Sequence, residues 1–434
     1  MAEIKPFRAW RYNEKLSQGI DQLVSPLFDV VSKNQIDRLY QQEYNSIHLS
    51  VPKASSQENE KLHLKVEKWK NNGIIRQDSL PGIYVYYQYF TLPGSNKELV
   101  RKGFIANMRI YDWYEKVLLR HENTIPFSVE DRIKILDQTQ LNVSPTHGLY
   151  TDPAKAIEEH LDDAMNSPLY ETEDYQGVRD VLAVIHDASV ISKILDVIKE
   201  KQIILADGHH RYEGSLLYQK QRQAANTNHN GTEGYNFHMM YLTNTESDDL
   251  RILPTHRLIS GLDNFSKTAF LERLSMYFHI TEIPETEDLP EIILGKERAF
   301  GLLMEEGAYK IQLKAESMVG LNWNFPDEIK ELDLTVLHYF VIEKCLGILG
   351  AKQRSSRNLR FERNFTKCIG MVRDQRAQCA LITKEISIDT VKRVCYSGYT
   401  LPQKSTYFYP KVISGFLFSS IVESEFKSYF DRAF

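Results

Sequence analysis

The chain has 434 residues, with 53 Lys or Arg against 58 Asp or Glu, so its formal net charge at pH 7 is -5. Its length suits two or three domains, and 42% hydrophobic with 26% charged residues are enough for a full core, which excludes a disordered or fibrous protein. The mildly acidic balance argues against general nucleic-acid binding, and apolar runs far shorter than about 20 residues argue against a membrane span.

The first half of the chain predicts alternating helices and strands. Ser55 and Glu58 form a possible capping box for a charged helix that ends near residue 72. Two segments rich in aromatic and β-branched residues, 83–91 and 103–110, flank a turn signal that begins at Pro93, and they predict a long hairpin. Further helices are predicted from Ser128 and from Asp152, and further strands at 181–186, 202–206 and 237–242.

The second half repeats this alternation, so the sequence predicts an α+β protein of two parts, 1–261 and 262–434. No low-complexity linker separates the parts, and close packing between them is expected. The elements predicted in this half are helices at 265–277, 332–349 and 388–396 and strands at 299–304, 309–313 and 378–384.

The composition also bears on location and metal content. The start of the chain carries the acidic Glu3 and no apolar stretch, which predicts a cytoplasmic protein without a secretory signal. The four cysteines form no Cys-x-x-Cys pair and the histidines have no zinc-ligand spacing, so neither disulfides nor a metal site is predicted. A small-molecule partner is expected, rather than a nucleic acid or a membrane.

The most informative segment runs from an apolar strand through Asp207 and Gly208 into a helix. The free N–H groups and the dipole at a helix start attract anions, and a glycine lets a ligand approach the backbone. His210 and Arg211 add donors for a phosphate, while His209 or Asp207 could orient the reacting groups or Mg²⁺. In the alternative interpretation, Asp207 caps the helix and the histidines are structural.

His121 and Glu122 form a second candidate site. A glutamate beside a histidine in a pocket could act as a general base, although the pair lacks the second histidine of a zinc motif. In the alternative, Glu122 is a loop residue that pairs with Arg120 or Arg132. Asp29 is the competing candidate for the base.

Several cations and hydroxyls could bind a substrate. Three arginines, Arg8, Arg11 and Arg132, could hold the carboxylate of an amino acid or a second phosphate. Lys404 and Ser405 combine an ammonium with a hydroxyl. Each of these residues could instead have a purely structural role, on a solvated surface, in a turn or in a packed strand. The candidates are Arg8, Arg11, Arg132, His256, Arg257, Lys404 and Ser405.

The chain resembles the bacterial and archaeal family called domain of unknown function 1015 over its whole length. The chain departs from that family's pattern where Phe28 replaces a tyrosine before Asp29 and where Asn123 replaces the arginine of a His-Glu-Arg-Thr element. The matching landmarks are Pro6-Phe7-Arg8, Arg11-Tyr12-Asn13, His121-Glu122 with Thr124, Ala206 to Glu213, Pro254 to Arg257, and Lys404 to Lys411 with Gly415.

The Asp207 to Arg211 turn also resembles the phosphate-binding turn of the ParB and sulfiredoxin superfamily, whose members include free-serine kinases that use ADP or ATP. The resemblance implies a ParB/sulfiredoxin-like strand–turn–helix phosphate site within a larger α+β chain. It further implies a phosphotransferase acting between ADP or ATP, with Mg²⁺, and a small hydroxy amino acid, foremost serine or phosphoserine. Gly208, His210, Arg211 and His121 would then bind the nucleotide, and Glu122 would be the base.

Two alternatives stay open at this point. The same site could hydrolyse phosphoserine or a related phosphomonoester, because water would only replace the nucleotide as acceptor. The chain could also be a nucleotide-binding regulatory protein, in which binding switches a conformation. The sequence patterns leave the direction of transfer and the oligomeric state unspecified.

Overall fold

The computed structural model describes residues 1–52, 61–92, 94–124, 126–402 and 404–427. The predicted capping box at Ser55 and Glu58 lies outside the described residues, as does Pro93 of the predicted turn. The chain divides into two compact units, Met1–Leu250 with Pro410–Phe434, and Arg251–Tyr409. None of the described helices combines the length and the apolar character that a membrane span requires.

The first unit is built on a nine-stranded mixed sheet with the order β10-β11-β5-β6-β13-β9-β12-β7, in which β1 also pairs with β6. Two neighbouring pairs are parallel, β9 with β13 and β7 with β12. Strands up to residue 250 are β1 (Ile4–Lys5), β2 (Trp10–Tyr12), β3 (Ser25–Pro26), β4 (Ile75–Gln77), β5 (Ile83–Thr91), β6 (Glu98–Arg109), β7 (Leu118–Arg120), β8 (Leu141–Asn142), β9 (Thr146–Tyr150), β10 (Tyr170–Glu173), β11 (Arg179–Ile185), β12 (Ile203–Asp207) and β13 (Phe237–Asn244).

Helices cover this sheet because their apolar residues recur at helical spacing. In the helix at residues 188–199, for example, Ile191, Ile194 and Ile198 are buried, and the Asp187 side chain caps the start by accepting from the Val190 N–H. The helices of this part are α1 (Ile20–Leu23), α2 (Lys33–Leu39), α3 (Ile47–Ser50), α4 (Leu62–Asn71), α5 (Pro126–Thr139), α6 (Glu158–Ala164), α7 (Ala188–Lys199) and α8 (His209–Ala225), with 3-10 turns at Trp113–Glu115 and Gly234–Asn236.

The predicted hairpin is confirmed as β5 and β6, which pair from Tyr84 opposite Ile105 to Thr91 opposite Glu98. The prediction of a helix starting at Asp152 is wrong, because α6 starts only at Glu158. The Asp152 carboxylate instead accepts from the Ala156 N–H, which makes the intervening residues a turn.

The second unit contains a six-stranded antiparallel sheet with the order β16-β18-β17-β20-β15-β19. Its strands are β14 (Arg251–Ile252), β15 (His256–Ile259), β16 (Phe278–Ile283), β17 (Ala299–Met304), β18 (Gly307–Leu313), β19 (Leu359–Glu362), β20 (Cys379–Ile382) and β21 (Phe408–Tyr409). Its helices are α9 (Lys267–Tyr277), α10 (Leu289–Ile293), α11 (Asp327–Lys330), α12 (Asp333–Val336), α13 (Gly350–Gln353), α14 (Phe365–Arg373) and α15 (Ile388–Tyr396), with 3-10 turns at Thr286–Asp288 and Ala315–Gly320.

One prediction for this unit is wrong in detail. The single apolar helix expected at 332–349 begins as α12, continues as a π-helix over Leu337–Cys345 and ends there. Gly347 then adopts a positive φ of 76°, a backbone conformation that a regular helix does not continue through.

The chain returns to the first unit after Tyr409. The returning segment, 410–427, contributes β22 (Ile413–Ser414), which pairs with β3, then β23 (Ser419–Ser420), which pairs with β8, and finally α16 (Glu423–Phe426). Its Val412, Phe416 and Leu417 pack with Tyr84 and Tyr86 of β5. The division therefore differs from the predicted boundary near residue 261, since the end of the chain completes the first unit.

Candidate functional site

The site forms where β12 ends and α8 begins, at the strand–turn–helix that the sequence singles out. Asp207 closes β12 beside His147 of β9, across an irregularity in the strand register. Gly208 follows with φ of 89° and is the residue before the helix. A Cβ added there would lie 2.6 Å from Thr146 Cγ2, so both the backbone and the space require glycine.

The Asp207 carboxylate binds two cations. Arg211, one helical turn later, donates from Nη2 to Oδ2 at 2.9 Å, and Lys411 of the returning segment donates to Oδ1. Burial opposes ionisation of the carboxyl, but the charges of Lys411 and Arg211 outweigh it and hold the pKa of Asp207 well below its usual range. These three side chains leave one net positive charge at the start of α8.

Arg211 also ties the helix to the loop before β9. Its Nη1 donates to the carbonyl of Pro145 at 2.5 Å and to Ser144 Oγ at 3.3 Å, while its Nε has no hydrogen-bond partner among the described residues. The guanidinium therefore positions the turn. Contact between Arg211 and a phosphate stays a prediction. Both of its Nη atoms already donate to protein groups, so few donors are left for a phosphate.

Two histidines pack beside the turn. His121 Nδ1 lies 2.8 Å from the carbonyl of Leu205, and the rings of His121 and His209 meet edge to face with centroids 4.7 Å apart. Burial lowers the pKa of His121 to about 4. Burial, followed by the nearby His121, holds the pKa of His209 well below its usual range. Both rings are thus neutral at pH 7, and His209 Nε2 has no partner within the described part of the chain.

The candidate bases approach the turn from different elements. Strand β7 runs parallel to β12, with Arg120 opposite Leu205, so the half-buried Glu122 lies at the same edge of the sheet as Asp207. Asp29 is exposed and interacts electrostatically with Arg132 of α5. Both carboxylates remain candidates.

The predicted substrate cations Arg8 and Arg11 are engaged elsewhere in the first unit. Arg11 forms an ion pair with Asp78, Nη2 to Oδ1 at 2.8 Å, and donates from Nη1 to the Tyr170 hydroxyl at 2.9 Å. Arg8 donates from Nη2 to the carbonyl of Glu425 at 3.2 Å. A substrate carboxylate would have to compete with these contacts, so the role of both arginines stays a prediction.

Four other predicted substrate residues belong to the second unit. Arg257 is fully buried and donates from Nε to His338 Nε2 at 3.2 Å, and His256 Nδ1 accepts from the Thr383 N–H at 3.2 Å. Ser405 Oγ donates to the carbonyl of Pro402, and Lys404 adopts a positive φ of 56°. His256 and Arg257 are therefore buried residues of strand β15.

Lys411 is not among the residues predicted for the site, although it belongs to the predicted family motif Lys404 to Lys411. Gln88 Nε2 donates to the Lys411 carbonyl at 3.0 Å and to Asp180 Oδ1 at 2.7 Å, and the Tyr86 hydroxyl donates to the same oxygen. Burial raises the pKa of Asp180 to about 7, despite these hydrogen bonds. Arg101 Nη2 donates to Gln88 Oε1, so a buried polar row across β11, β5 and β6 holds the lysine backbone.

A metal ion fits this site poorly. Among the described residues, no three His, Cys, Asp or Glu side chains converge to hold one. Both carboxylate oxygens of Asp207 are engaged by cations, so the prediction that Asp207 orients Mg²⁺ does not agree with the arrangement.

The site is thus a cation-rich strand–turn–helix junction in a mixed α/β protein. The chain belongs to the family described as protein of unknown function (DUF1015), whose sequence model matches residues 4–335. No protein with a curated description matches it.

Solved structures give only remote similarity. A mutant of free serine kinase in complex with AMP has 13% identity and a TM-score of 0.36, covering 71% of this chain and 87% of that one. The same kinase with ADP, also as a mutant, has 12% identity and a TM-score of 0.35, with coverages of 70% and 87%. A conserved hypothetical protein from Pyrococcus furiosus has 12% identity and a TM-score of 0.36, with coverages of 74% and 95%.

Proposed function

We propose that the protein transfers a phosphoryl group between ADP or ATP and a small hydroxy amino acid, foremost serine or phosphoserine. The observation that carries the proposal is the cluster at the start of α8, where one buried carboxylate meets Arg211 and Lys411. Phosphoryl transfer depends mainly on positioning and on neutralising charge, and a surplus cation beside a helix start supplies both.

The phosphates of the nucleotide would lie against the first turn of α8. Gly208 has no side chain to block the approach, and the N–H groups that begin a 17-residue helix point outward at this end. The half-buried His210 and the ammonium of Lys411 flank the same turn. Mg²⁺ enters this scheme as part of the substrate, bound to the nucleotide phosphates.

The acceptor hydroxyl requires a base. In our proposal Glu122 takes the hydroxyl proton, the oxygen bonds to the terminal phosphorus, and the bond from that phosphorus to the nucleotide breaks, so the nucleotide leaves one phosphate shorter. The supporting feature is the parallel pairing of β7 with β12, which brings Glu122 to the edge of the sheet that carries Asp207. Asp29 is the alternative base.

A phosphorus-NMR experiment tests the proposal. The protein is incubated with ADP or ATP, Mg²⁺ and L-serine, and in parallel with phosphoserine and AMP or ADP. We expect a phosphoserine signal in the first case and a new nucleotide diphosphate or triphosphate in the second. Serine amide and N-acetylserine should react at least about 10-fold more slowly, because each leaves a charged group of the site unpaired.

Other outcomes decide between the alternatives. Release of inorganic phosphate from phosphoserine without a nucleotide would identify a phosphatase. Nucleotide binding without transfer or hydrolysis would identify a regulatory protein. Equal rates for serine, serine amide and N-acetylserine would exclude a free amino acid as the acceptor.

A further inference from the structure

A cavity of about 40 Å³ lies beside the turn in the first unit, between α5, α8 and the segment around β8. One buried water needs about 10 to 15 Å³ on this scale, so the cavity has room for a group of a few heavy atoms. Arg132 of α5, Arg211 and Ser215 of α8, and His238 of β13 contribute polar atoms to its wall.

Two buried nitrogens of this wall lack partners. Arg211 Nε and His238 Nε2 have no hydrogen-bond partner among the described residues, and these two residues are only 6% and 2% exposed. Buried polar groups are normally satisfied, so two such nitrogens on residues of one cavity wall mark a place where a polar ligand could accept hydrogen bonds. Both residues line the cavity, which has room for a small polar group.

The chemistry of the wall selects an anion. His238 Nδ1 lies 2.8 Å from Ser215 Oγ, and the arrangement in which the hydroxyl donates leaves the proton on Nε2, as a second N–H donor beside Arg211 Nε. Burial, followed by the charge of Arg211, lowers the pKa of His238 to about 3, so the ring is neutral at pH 7. In that arrangement, the donors are one neutral and one cationic N–H.

Arg132 adds a second guanidinium to the same wall. It stacks 3.9 Å from the centroid of the Phe28 ring, donates from Nη1 to the carbonyl of Ser50 at 2.9 Å and pairs with the adjacent Asp131. Burial lowers its pKa, and the charge of Arg211 acts in the same direction against the opposing charges of Asp131 and Asp29. An anion in the cavity would offset the repulsion between the two guanidinium groups.

We infer that this cavity binds the carboxylate group of the amino-acid substrate, through Arg132, Arg211 Nε and His238 Nε2. The identity of the ligand rests on the proposed function, whereas the binding of a small carboxylate does not. Arg211 borders both the cavity and the Asp207 turn, so a carboxylate held here lies next to the proposed phosphate position. Of the three predicted carboxylate-binding arginines, Arg132 alone lines this cavity.

Calorimetry with sodium acetate, against sodium chloride at equal ionic strength, tests the site without any turnover. The wild type should bind acetate, and Arg132→Met and His238→Phe should each weaken that binding about 10-fold to 100-fold, the usual effect of losing a charge-assisted hydrogen bond. Arg179→Met is the matched control, because Arg179 forms an ion pair with Glu171 at the surface. Affinity for ADP should be unchanged in the His238 variant, which shows that it is folded.

The wild type provides a test that needs no variant. Acetate should compete with L-serine, and serine should bind at least about 10-fold more tightly than serine amide. Acetate binding that the variants lose would support the cavity site even if no phosphoryl transfer occurred. Transfer to serine with no acetate binding and an unchanged KM in both variants would overturn the cavity site and leave the proposed function standing. Equal binding of chloride and acetate would overturn the carboxylate assignment.

Discussion

Asp207 joins two parts of the chain that are distant in sequence. Its carboxylate binds Arg211 of the following helix and Lys411, which lies 204 residues further along. A buried carboxylate is costly without partners, so each of these contacts stabilises the turn as well as charging it. Asp207 therefore determines both the backbone conformation of the turn and the electrostatic potential of the site.

Replacing Lys411 by Met should weaken ADP binding about 10-fold to 100-fold, because the loss of one cation leaves the turn with no net positive charge from this cluster. Calorimetry measures the affinity. Lys201→Met is a matched control, since Lys201 pairs with the buried Asp152 at 3.4 Å in the same unit. Equal effects of the two variants on ADP affinity would show that general destabilisation, and not the site charge, is being measured.

Glu122→Gln keeps the shape of the side chain and removes its basicity. We expect turnover to fall about 100-fold to 10,000-fold, the usual effect of losing a positioned base, while ADP affinity changes little. Single-turnover kinetics separates the two quantities. Asp29→Asn is the companion variant, and if it is inactive while Glu122→Gln retains full turnover, the base is Asp29.

At the scale of elements, the junction of β12 and α8 depends on its glycine. Gly208 has a φ of 89°, which favours glycine, and Thr146 leaves no room for a Cβ at this position. Any residue with a side chain at this position would displace either the start of α8 or β9. The turn is therefore tightly fixed at the point where a ligand would approach.

Gly208→Ala should reduce the free energy of unfolding by clearly more than Gly177→Ala. Gly177 has a φ of 76° with no atom within 4 Å of an added Cβ, so its variant should show only the backbone strain, about 1 to 2 kcal/mol. Urea unfolding measures both. Adding Thr146→Ser to Gly208→Ala should restore part of the difference, because it removes the Cγ2 atom that clashes. Equal losses for the two glycine variants would contradict a steric constraint at Gly208.

Elements with local signals could be predicted from the sequence, and elements defined by long-range pairing could not. The hairpin β5–β6 and the strand–turn–helix at Asp207 follow from residue patterns within a few positions. The placement of β9 between β13 and β12 depends on contacts across about 60 to 90 residues, which no local pattern encodes. The π-helix after Val336 was missed because its apolar sequence also suits an α-helix.

The same distinction applies to the candidate site. The turn residues can be predicted because they are consecutive, and the motif containing Lys411 is recognised through its resemblance to the family's C-terminal element. Nothing in that motif specifies that β22 pairs with β3, which carries Lys411 to Asp207. Likewise, Arg11 was a candidate ligand because its partner Asp78 is 67 residues away and could not be identified from the sequence.

At the scale of the whole molecule, buried titratable groups make stability depend on pH. His121 and His238 have pKa values of about 4 and 3, and burial also holds those of His147 and His209 well below their usual range. In the unfolded chain a histidine titrates near about 6.5, so below that pH the unfolded state binds protons that the folded state does not. His121 and His238 therefore each lower stability by about 2 kcal/mol as the pH falls to 5, and His147 and His209 act in the same direction.

Asp180 acts in the opposite direction. Its pKa of about 7 is raised above the unfolded value, so its contribution is fully present at low pH and is lost as pH rises through 7. Burial also lowers the pKa of His256 and His338, to about 4 and about 3. With six such histidines against one aspartate, we expect the melting temperature to fall from pH 7 to pH 5. Asp180→Asn should make that fall steeper, since the amide oxygen can still accept from Tyr86 and Gln88 but no longer titrates. Identical pH profiles of the two proteins by scanning calorimetry would contradict the assignment.

The returning segment also makes the order of synthesis matter. The ribosome completes residues 1–250, then makes the 159 residues of the second unit (409 minus 250), and only then Lys411 and the apolar side chains that pack on β5. At roughly 5 to 20 residues per second, that interval is about 8 to 32 seconds. During translation, the first unit is therefore without the apolar side chains that pack on β5, and Asp207 has only Arg211 of its two cations. A nascent chain stalled in this interval should be a substrate for chaperones, and the site can assemble only after Lys411 has left the exit tunnel.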